Sequence, residues 1–303
     1  MIYKADEQGI TKRRFFILVN TQAGHYDEYL VYEYLADLLS REDISAEIYR
    51  FVNQQELAEK IKKAKQEPFD LYVAVGGDGM IALLASYLQD CKKTIGIVPA
   101  GTSNTMANIL GIPLDTKLAI QLLVHFKQTK TIDAIQIEDR LFFMNVSTGF
   151  SSSVVNELDS TKKSLLGIFA YIFAGLLHLP KTIQHTFSVT IDGKQQHVKA
   201  AELFVANSGV LGRLQYTVSD SKFDDGVLEV GIVRKTSIRG IVDVVLDILI
   251  RKRKKGFHLI GHGKHISVLT EKPLIVQADG DIIGETPLTI EVIPKAATFA
   301  TPT

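Results

Sequence analysis

The sequence has a single cysteine, no net charge and no apolar run long enough to cross a membrane. The lone Cys91 rules out an internal disulfide and favours a reducing cytoplasm over secretion. Lys plus Arg and Asp plus Glu number 34 each, so the overall charge indicates no nucleic-acid partner. The first residues lack the apolar segment of a signal peptide. Two apolar stretches, residues 165–177 and 241–250, are shorter than the ~20 residues of a membrane span.

The first part of the 303-residue chain predicts an α/β domain of Rossmann-like type. Apolar runs at residues 15–19, 46–52, 71–75 and 95–98 alternate with helical patterns. This alternation implies a parallel sheet covered on both faces. Ligands bind such sheets at the carboxyl ends of the strands, where the loops at Asn20, Gly76 and Pro99 are expected.

The pattern changes after Lys130 to short strands with hairpin-scale connections, which predict a mostly antiparallel domain. Asp192-Gly193 is a strong hairpin signal, and helices are expected near residues 164–178 and 236–250. We place the two domains at residues 1–130 and 131–293. The predicted strands cover residues 132–137, 141–147, 187–191, 197–205, 227–233, 265–269, 274–277 and 288–293.

Residues 76–79, Gly-Gly-Asp-Gly, stand between an apolar strand and a helix, where a phosphate site is expected. Glycines let backbone amides approach a phosphate closely, and a helix N-terminus adds a favourable dipole. A carboxylate at Asp78 would repel phosphate, unless it accepts hydrogen bonds that fix the loop or holds water around Mg²⁺. The alternative is a tight turn with structural glycines.

A second loop, residues 98–104 (VPAGTSN), follows the next strand and adds hydroxyls and another glycine. Together with residues 74–81 (AVGGDGMI), it resembles the catalytic domain of the diacylglycerol kinase family, which includes sphingosine, ceramide and bacterial lipid kinases. The resemblance covers most of the chain. Its further landmarks are residues 20–24 (NTQAG), 145–150 (NVSTGF), 224–228 (DDGVL) and 279–281 (DGD).

The resemblance implies an α/β nucleotide domain, a β-sandwich lipid domain and a tail, residues 294–303, that returns to the first domain. The implied reaction moves the γ-phosphoryl group of ATP to a lipid hydroxyl. Asp281 matches the family's proton acceptor, and Asp279 is a second carboxylate nearby. The implied nucleotide-binding residues are Asn20, Thr21, Gln22, Ala23, Gly24, Gly76, Gly77, Asp78, Gly79, Met80, Ile81, Ala82, Leu83, Gly101, Thr102 and Asn104.

Asp225 matches the family's metal-linked acid, and the backbone carbonyls of Lys222 and Val227 would complete an oxygen set for Mg²⁺. Without this resemblance, residues 223–230 (FDDGVLEV) would be interpreted as a hairpin turn with solvated acids. His258, His262 and His265 lie close in sequence, but no Cys or acid accompanies them at ligand spacing, so no zinc site is predicted.

Several positions depart from the family pattern. Met80 replaces a Thr, Thr105 replaces an Asp of bacterial members, and Asp281 replaces a Glu. These departures motivate an alternative function, a lipid- or nucleotide-binding regulatory protein with weak or no activity. An NAD kinase is a more distant alternative, because it is expected to carry an Asn-Glu pair after its Gly-Gly-Asp-Gly loop and this chain has only Asn156-Glu157, in the wrong context.

The predicted partner is a lipid at a membrane surface, and resemblance to some bacterial members implies a homodimer. Residues 251–255 (RKRKK) either dock on anionic headgroups or form a solvated helix terminus. The predicted location is cytoplasmic with peripheral membrane association. Diacylglycerol, a sphingoid base and an isoprenoid alcohol all fit an apolar cleft, and the sequence does not select among them.

Overall fold

The structure, a computed structural model, describes residues 13–21, 23, 27–41, 44–149, 184–207, 222–234 and 257–302. The chain divides into two units, residues 1–132 with 295–303, and residues 133–294. The helices predicted near residues 164–178 and 236–250, and the basic residues 251–255, lie outside the described residues. Within the described ranges, no helix is both long and apolar enough to cross a membrane.

The first unit is built on the parallel sheet that the sequence predicts. Neighbouring strands lie in the order β2-β1-β3-β4 and pair in parallel. Thr298 and Phe299 near the end of the chain pair in parallel with Thr94 and Ile95 of β4. The strands are β1 (Arg13–Val19), β2 (Ile44–Arg50), β3 (Leu71–Gly76) and β4 (Thr94–Pro99).

Short polar side chains cap several helices of this unit by accepting first-turn amides. Asp27 accepts the amide of Leu30 at 3.1 Å, and Asp115 accepts that of Leu118 at 2.9 Å. The helix after the first glycine loop begins at Asp78, directly after Gly77, and the Asp78 carboxylate bonds outside its own helix. The helices are α1 (Glu28–Arg41), α2 (Gln54–Ala64), α3 (Asp78–Leu88), α4 (Thr105–Ile109) and α5 (Thr116–His125).

An aromatic cluster of Phe16, Phe69 and Tyr72 packs against the end of α2. The ring centroids lie 5.7 to 5.9 Å apart, within the range of favourable aromatic pairs. The Tyr72 hydroxyl donates to the carbonyl of Ala64 at 2.8 Å, and burial raises the pKa of Tyr72 to about 12. The phenol therefore stays protonated and ties the last turn of α2 to β3.

The second unit is a mostly antiparallel β-sandwich, as predicted. One sheet has the order β12-β11-β10-β7-β14-β15, and the other includes β16-β13-β8-β9. Buried side chains from both sheets, among them Val230, Val276, Val189 and Ile266, form one apolar core. The strands are β5 (Gln128–Ile137), β6 (Arg140–Phe142), β7 (Asn145–Gly149), β8 (His185–Ile191), β9 (Lys194–Ala200), β10 (Glu202–Ala206), β11 (Leu228–Val233), β12 (Phe257–Gly263), β13 (His265–Thr270), β14 (Ile275–Ala278), β15 (Asp281–Glu285) and β16 (Leu288–Thr301).

Two predicted strands are each divided in the structure. Residues 197–205 form the end of β9 and most of β10, which belong to different sheets and meet at Ala201. The Ala201 amide donates to the carbonyl of Val233 at 2.8 Å, which holds the chain where it changes sheets. Residues 141–147 are likewise divided between β6 and β7, because the intervening amides bond to a distant aspartate. The sequence also missed β12 and β15.

The turn between β8 and β9 confirms the Asp192-Gly193 hairpin prediction. Both residues have positive φ, 45° and 81°, as a type I′ turn requires. The Asp192 carboxylate also accepts the amides of Lys264 and His265, each at 2.9 Å. These backbone hydrogen bonds lower the pKa of Asp192.

We expect Asp192→Asn to reduce the free energy of unfolding at neutral pH by at most about 1 kcal/mol, because solvent screens this exposed carboxylate. The lowered pKa means that the ionised form is favoured in the folded protein. Its contribution is therefore complete above the unfolded pKa of about 4, and is lost as the pH falls through the folded pKa. Urea unfolding at pH 7 and in acid should show the two proteins converging at low pH. Asp139→Asn, at another exposed aspartate, serves as the control. A difference in the free energy of unfolding between Asp192→Asn and the wild type that stays the same in acid would contradict the assignment.

Candidate functional site

Three loops meet at the carboxyl edge of the parallel sheet in the first unit. The Asn20 amide donates to the carbonyl of Val75 at 2.9 Å, which joins the loop after β1 to the end of β3. The Ala100 amide donates to the carbonyl of Gly76, also at 2.9 Å, which joins the loop after β4 to the same strand end. The predicted edge therefore exists, with the three sequence-selected loops side by side.

Gly77 and Gly101 approach each other across this edge. A Cβ atom on Gly101 would lie 2.4 Å from the Cα of Gly77, and one on Gly77 would lie 3.1 Å from the Cα of Gly101. Since both obstructing atoms belong to the backbone, no rotamer change could relieve the clash. From sequence, these glycines are predicted to allow close approach to a phosphate. In the structure they also allow the two loops to pack together.

Asp78 joins the first glycine loop to the helix that follows the second. Its Oδ2 accepts the amide of Thr105 at 3.0 Å, and its Oδ1 accepts the amide of Met106 at 2.9 Å. These are first-turn amides of α4, which have no acceptor within their own helix. Of the two roles open to Asp78 from sequence, the one seen is hydrogen bonding that fixes the loop.

Asn104 closes the second loop on itself. Its Oδ1 accepts the amide of Gly101 at 2.9 Å, and its Nδ2 donates to the carbonyl of Gly101 at 2.7 Å. The residue has a φ of 48°, in the left-handed region that asparagine tolerates better than most residues. The side chain is 8% exposed, so its position is fixed by the loop around it.

The other nucleotide-binding candidates divide into exposed and buried groups. Thr21, Gly79 and Thr102 are exposed at the loop edge, whereas Met80, Ile81 and Ala82 are buried with α3. Ala23 and Leu83 are half-buried, and Gln22 and Gly24 lie outside the described residues. No side chain caps α3 at Gly77, and the Met80 amide donates to the carbonyl of Gly77 at 3.0 Å. The amides of Asp78 and Gly79, ahead of Met80, are therefore the ones that this 11-residue helix offers to an anion.

In the second unit, Asp225 organises the predicted metal loop. Its Oδ2 accepts the amide of Lys222 at 3.0 Å, and its Oδ1 accepts the amide of Val227 at 3.2 Å. A carboxylate oxygen has two lone pairs, so the exposed Asp225 keeps acceptor capacity for a hard cation or its water. Over the described residues, no cluster of three or more His, Cys, Asp and Glu side chains stands at metal-binding distance. The Mg²⁺ assignment stays a prediction.

A buried carboxylate that the sequence argument missed supports this loop from within. Asp133 is fully buried, and its Oδ2 accepts the amide of Gly226 at 2.7 Å. Its own amide donates to the carbonyl of Phe223 at 2.7 Å. The sequence signal was a charged residue near the start of the predicted strand, residues 132–137, whose other residues are apolar apart from Gln136.

The two carboxylates of the Asp-Gly-Asp turn have different surroundings. Asp279 accepts three amides, those of Phe143 at 2.7 Å and of Met144 and Asn145 at 3.0 Å each. Asp281 is exposed at the start of β15, opposite Ala278. Asp279 is therefore an anchor of the fold, while Asp281 has the accessibility that a proton acceptor needs.

Comparison with known proteins identifies the family to which this architecture belongs. A model described as the diacylglycerol kinase catalytic domain matches residues 14–137, and one described as the YegS C-terminal NAD kinase beta sandwich-like domain matches residues 144–301. The chain belongs to the diacylglycerol kinase catalytic domain family. Its family and the names of its relatives support a lipid-kinase-like function.

Individual relatives of this diacylglycerol kinase family member are distant. A diacylglycerol kinase of Bacillus subtilis is 26% identical over 229 residues, which are 75% of this chain and 76% of that protein. An uncharacterized protein of Synechocystis is 28% identical over 85% of this chain, and the chain spans 62% of that protein's length. A crystal structure of a diacylglycerol kinase from Bacillus anthracis has a TM-score of 0.75 at 22% identity, covering 96% of this chain and 97% of that one, which shows a shared fold.

Two departures from the family's usual residues are buried in this family member. The Met80 side chain is 6% exposed and packs over Gly76, while the Thr105 side chain is 5% exposed. The contact seen between Thr105 and Asp78 is made by the Thr105 amide, which any residue except proline would supply. The hydrogen bond that joins the two loops therefore survives the replacement of the family's Asp.

Proposed function

We propose that this protein is an ATP- and Mg²⁺-dependent lipid kinase that transfers the γ-phosphoryl group to the hydroxyl of diacylglycerol or a related lipid alcohol. The observation that carries the proposal is the pair of interlocked loops at Gly77 and Gly101, in front of the uncapped N-terminus of α3. Backbone amides at such a helix end favour phosphate groups through hydrogen bonds and the helix dipole.

Each part of the chemistry has a residue of this chain to support it. The amides at the start of α3 would hold the phosphates, and Thr21 and Thr102 stand exposed beside them. Asp225 and the carbonyls of Lys222 and Val227 would hold Mg²⁺, which supplies neutralisation of charge on the transferring group. Asp281 would take the proton of the attacking alcohol, whose oxygen bonds to the γ-phosphorus as the bond to the β-phosphate oxygen breaks.

The proposed setting is a membrane surface, since the acceptor is a lipid. We propose cytoplasmic, peripheral association, with no nucleic-acid partner and with a homodimer as the assembly. Residues 251–255 are the sequence-level candidate for contact with anionic headgroups, at about 1 kcal/mol for each cation near the surface. Vesicle co-sedimentation with and without anionic lipid would measure that contribution.

A second candidate is a binding protein of the same fold with weak or no activity. Met80 and Thr105 replace the family's usual hydroxyl and carboxylate, and the observation that favours this candidate is that both side chains are buried, so neither reaches the loop surface. Lipid and nucleotide would then bind without transfer of the phosphoryl group.

The deciding experiment is incubation with labelled ATP, Mg²⁺ and a total lipid extract, with EDTA as the metal-free arm. We expect labelled lipid that depends on Mg²⁺, and we expect Asp281→Asn to lower the rate by about 100-fold or more, as loss of a general base does. Glu285→Gln is the matched control, because it removes an exposed carboxylate at the other end of the same strand.

If the wild-type protein labels none of the tested lipids above background, the result supports the binding protein and overturns the kinase. Label that persists at the wild-type rate in Asp281→Asn would overturn the assignment of the base and leave the kinase intact.

A further inference from the structure

A buried polar network runs through the second unit between the predicted metal loop and the predicted proton acceptor. It begins at the loop of residues 222–227, where Asp133 accepts the amide of Gly226 and donates its own amide to Phe223, both at 2.7 Å. Asp133 is fully buried, so this connection is protected from water. The loop is therefore held by a fixed carboxylate as well as by its own Asp225.

Asn207 carries the network from Asp133 to the next strand. Its Nδ2 donates to the carbonyl of Asp133 at 2.8 Å and to the carbonyl of Phe143 at 3.2 Å. These two carbonyl acceptors fix the orientation of the Asn207 side-chain amide, because the flipped orientation would place its oxygen next to both carbonyl oxygens. The Asn207 amide also donates to the carbonyl of Met144 at 2.9 Å, and the residue is fully buried at the end of β10.

The last section of the network reaches the turn that carries Asp281. Residues 143–145, which contact Asn207 through two of their carbonyls, give all three of their amides to the carboxylate of Asp279. The Asp279 amide returns a bond to the carbonyl of Asn145 at 3.0 Å. Asp281 follows two residues later, as the first residue of β15.

We propose that Asp133 and Asn207 are positioning residues that hold the metal loop and the Asp281 turn in one fixed arrangement. Neither residue touches substrate in this proposal, since both are buried. They act by tying residues 222–227 and 279–281 to the same short segment, residues 143–145. This inference rests on the proposed function for the roles of Asp225 and Asp281, but the link itself rests on the hydrogen bonds alone.

Asn207→Leu tests the link, because leucine has a similar size and cannot donate to the two carbonyls. Amide hydrogen exchange should show the Gly226 and Asp279 amides exchanging about 10-fold faster or more in this variant than in the wild type. Thr286→Val is the matched control, since Thr286 is also buried and its hydroxyl accepts the amide of Leu274 at the far end of the β14–β15 hairpin. That control should leave both amides at wild-type rates.

Kinetics provide the second measurement. We expect Asn207→Leu to lower kcat by about 10- to 100-fold, as the loss of a supporting partner does. The KM for ATP should change less than about twofold, because a positioning residue affects the chemical step more than nucleotide binding. Thr286→Val should keep both values.

The outcomes separate the two ideas. An unchanged exchange rate at Gly226 in Asn207→Leu would overturn the link, and faster exchange with an unchanged kcat would overturn the positioning role. A wild-type protein that phosphorylates no lipid would overturn the proposed function alone, and the exchange rates would still decide the link.

Discussion

Gly101→Ala is expected to reduce stability and to abolish binding of ATP. The new Cβ atom would lie 2.4 Å from the Cα of Gly77 and 3.0 Å from the Oδ1 of Asn104. The loops must separate to admit it, which opposes the hydrogen bonds from Ala100 to Gly76 and from Gly101 to Asn104. Overpacking of this kind costs about 1–3 kcal/mol, and the displaced backbone no longer presents its amides to phosphate.

Two further glycine substitutions separate the clash from other effects. Gly77→Ala places its Cβ 3.1 Å from the Cα of Gly101, so it should weaken ATP binding less than Gly101→Ala does. Gly111 has a φ of 69°, and outside the residues next to it in the chain the heavy atom nearest to an added Cβ would be the Cγ of Pro302 at 3.9 Å. Gly111→Ala should therefore lower stability by about 1 kcal/mol through backbone strain and keep ATP binding.

Urea unfolding and equilibrium binding of ATP measure both effects. If Gly101→Ala bound ATP like the wild type, the interlocked loops would not be the nucleotide site. If Gly111→Ala lost ATP binding as fully as Gly101→Ala, general destabilisation would explain both.

The parallel sheet of the first unit could be predicted because its local and global signals agree. Leu71–Gly76 is a continuous buried strand that ends in glycine, and it reads as such from the sequence alone. The positions of the loops followed, since parallel strands place their carboxyl ends at one edge. The hydrogen bonds from α4 to Asp78 could not be predicted from the sequence, because they depend on how the loops after β3 and β4 fold against each other.

The sandwich was harder to predict in detail, because long-range contacts decide where its strands end. Residues 141–147 are apolar enough to suggest one strand, yet the structure has β6 and β7 with a break at Phe143 and Met144. The cause is Asp279, which lies 135 residues after Met144 in the chain. The roles of Asp133 and Asn207 could not be predicted either, because a single polar residue near an apolar strand carries no periodic signal.

Asp279→Ala is expected to be among the most destabilising single substitutions in the second unit. Three backbone amides, those of Phe143, Met144 and Asn145, would lose a charged acceptor, and hydrogen bonds to charged groups contribute about 1.5–3 kcal/mol each. Alanine also tolerates the φ of 49° poorly. Because the three bonds share one carboxylate and are not additive, we expect a total loss of about 3–5 kcal/mol in the free energy of unfolding.

Two other substitutions at this position divide the effect between its causes. Asp279→Gly accepts the positive φ but removes the carboxylate, so it should lose nearly as much stability as alanine. Asp279→Asn keeps one oxygen and tolerates the left-handed conformation, so it should fall between glycine and the wild type. If hydrogen bonding contributes more than backbone strain, the alanine and glycine variants should both be less stable than the asparagine variant.

Asp281→Asn completes the comparison, because it alters the other acid of the same turn. Asp281 is exposed, and its substitution should leave the urea unfolding curve within about 0.5 kcal/mol of the wild type while removing phosphoryl transfer. The two acids would then have opposite signatures, one in stability and one in catalysis. If Asp279→Gly were as stable as the wild type, the carboxylate would not anchor residues 143–145, and the division between anchor and base would fail.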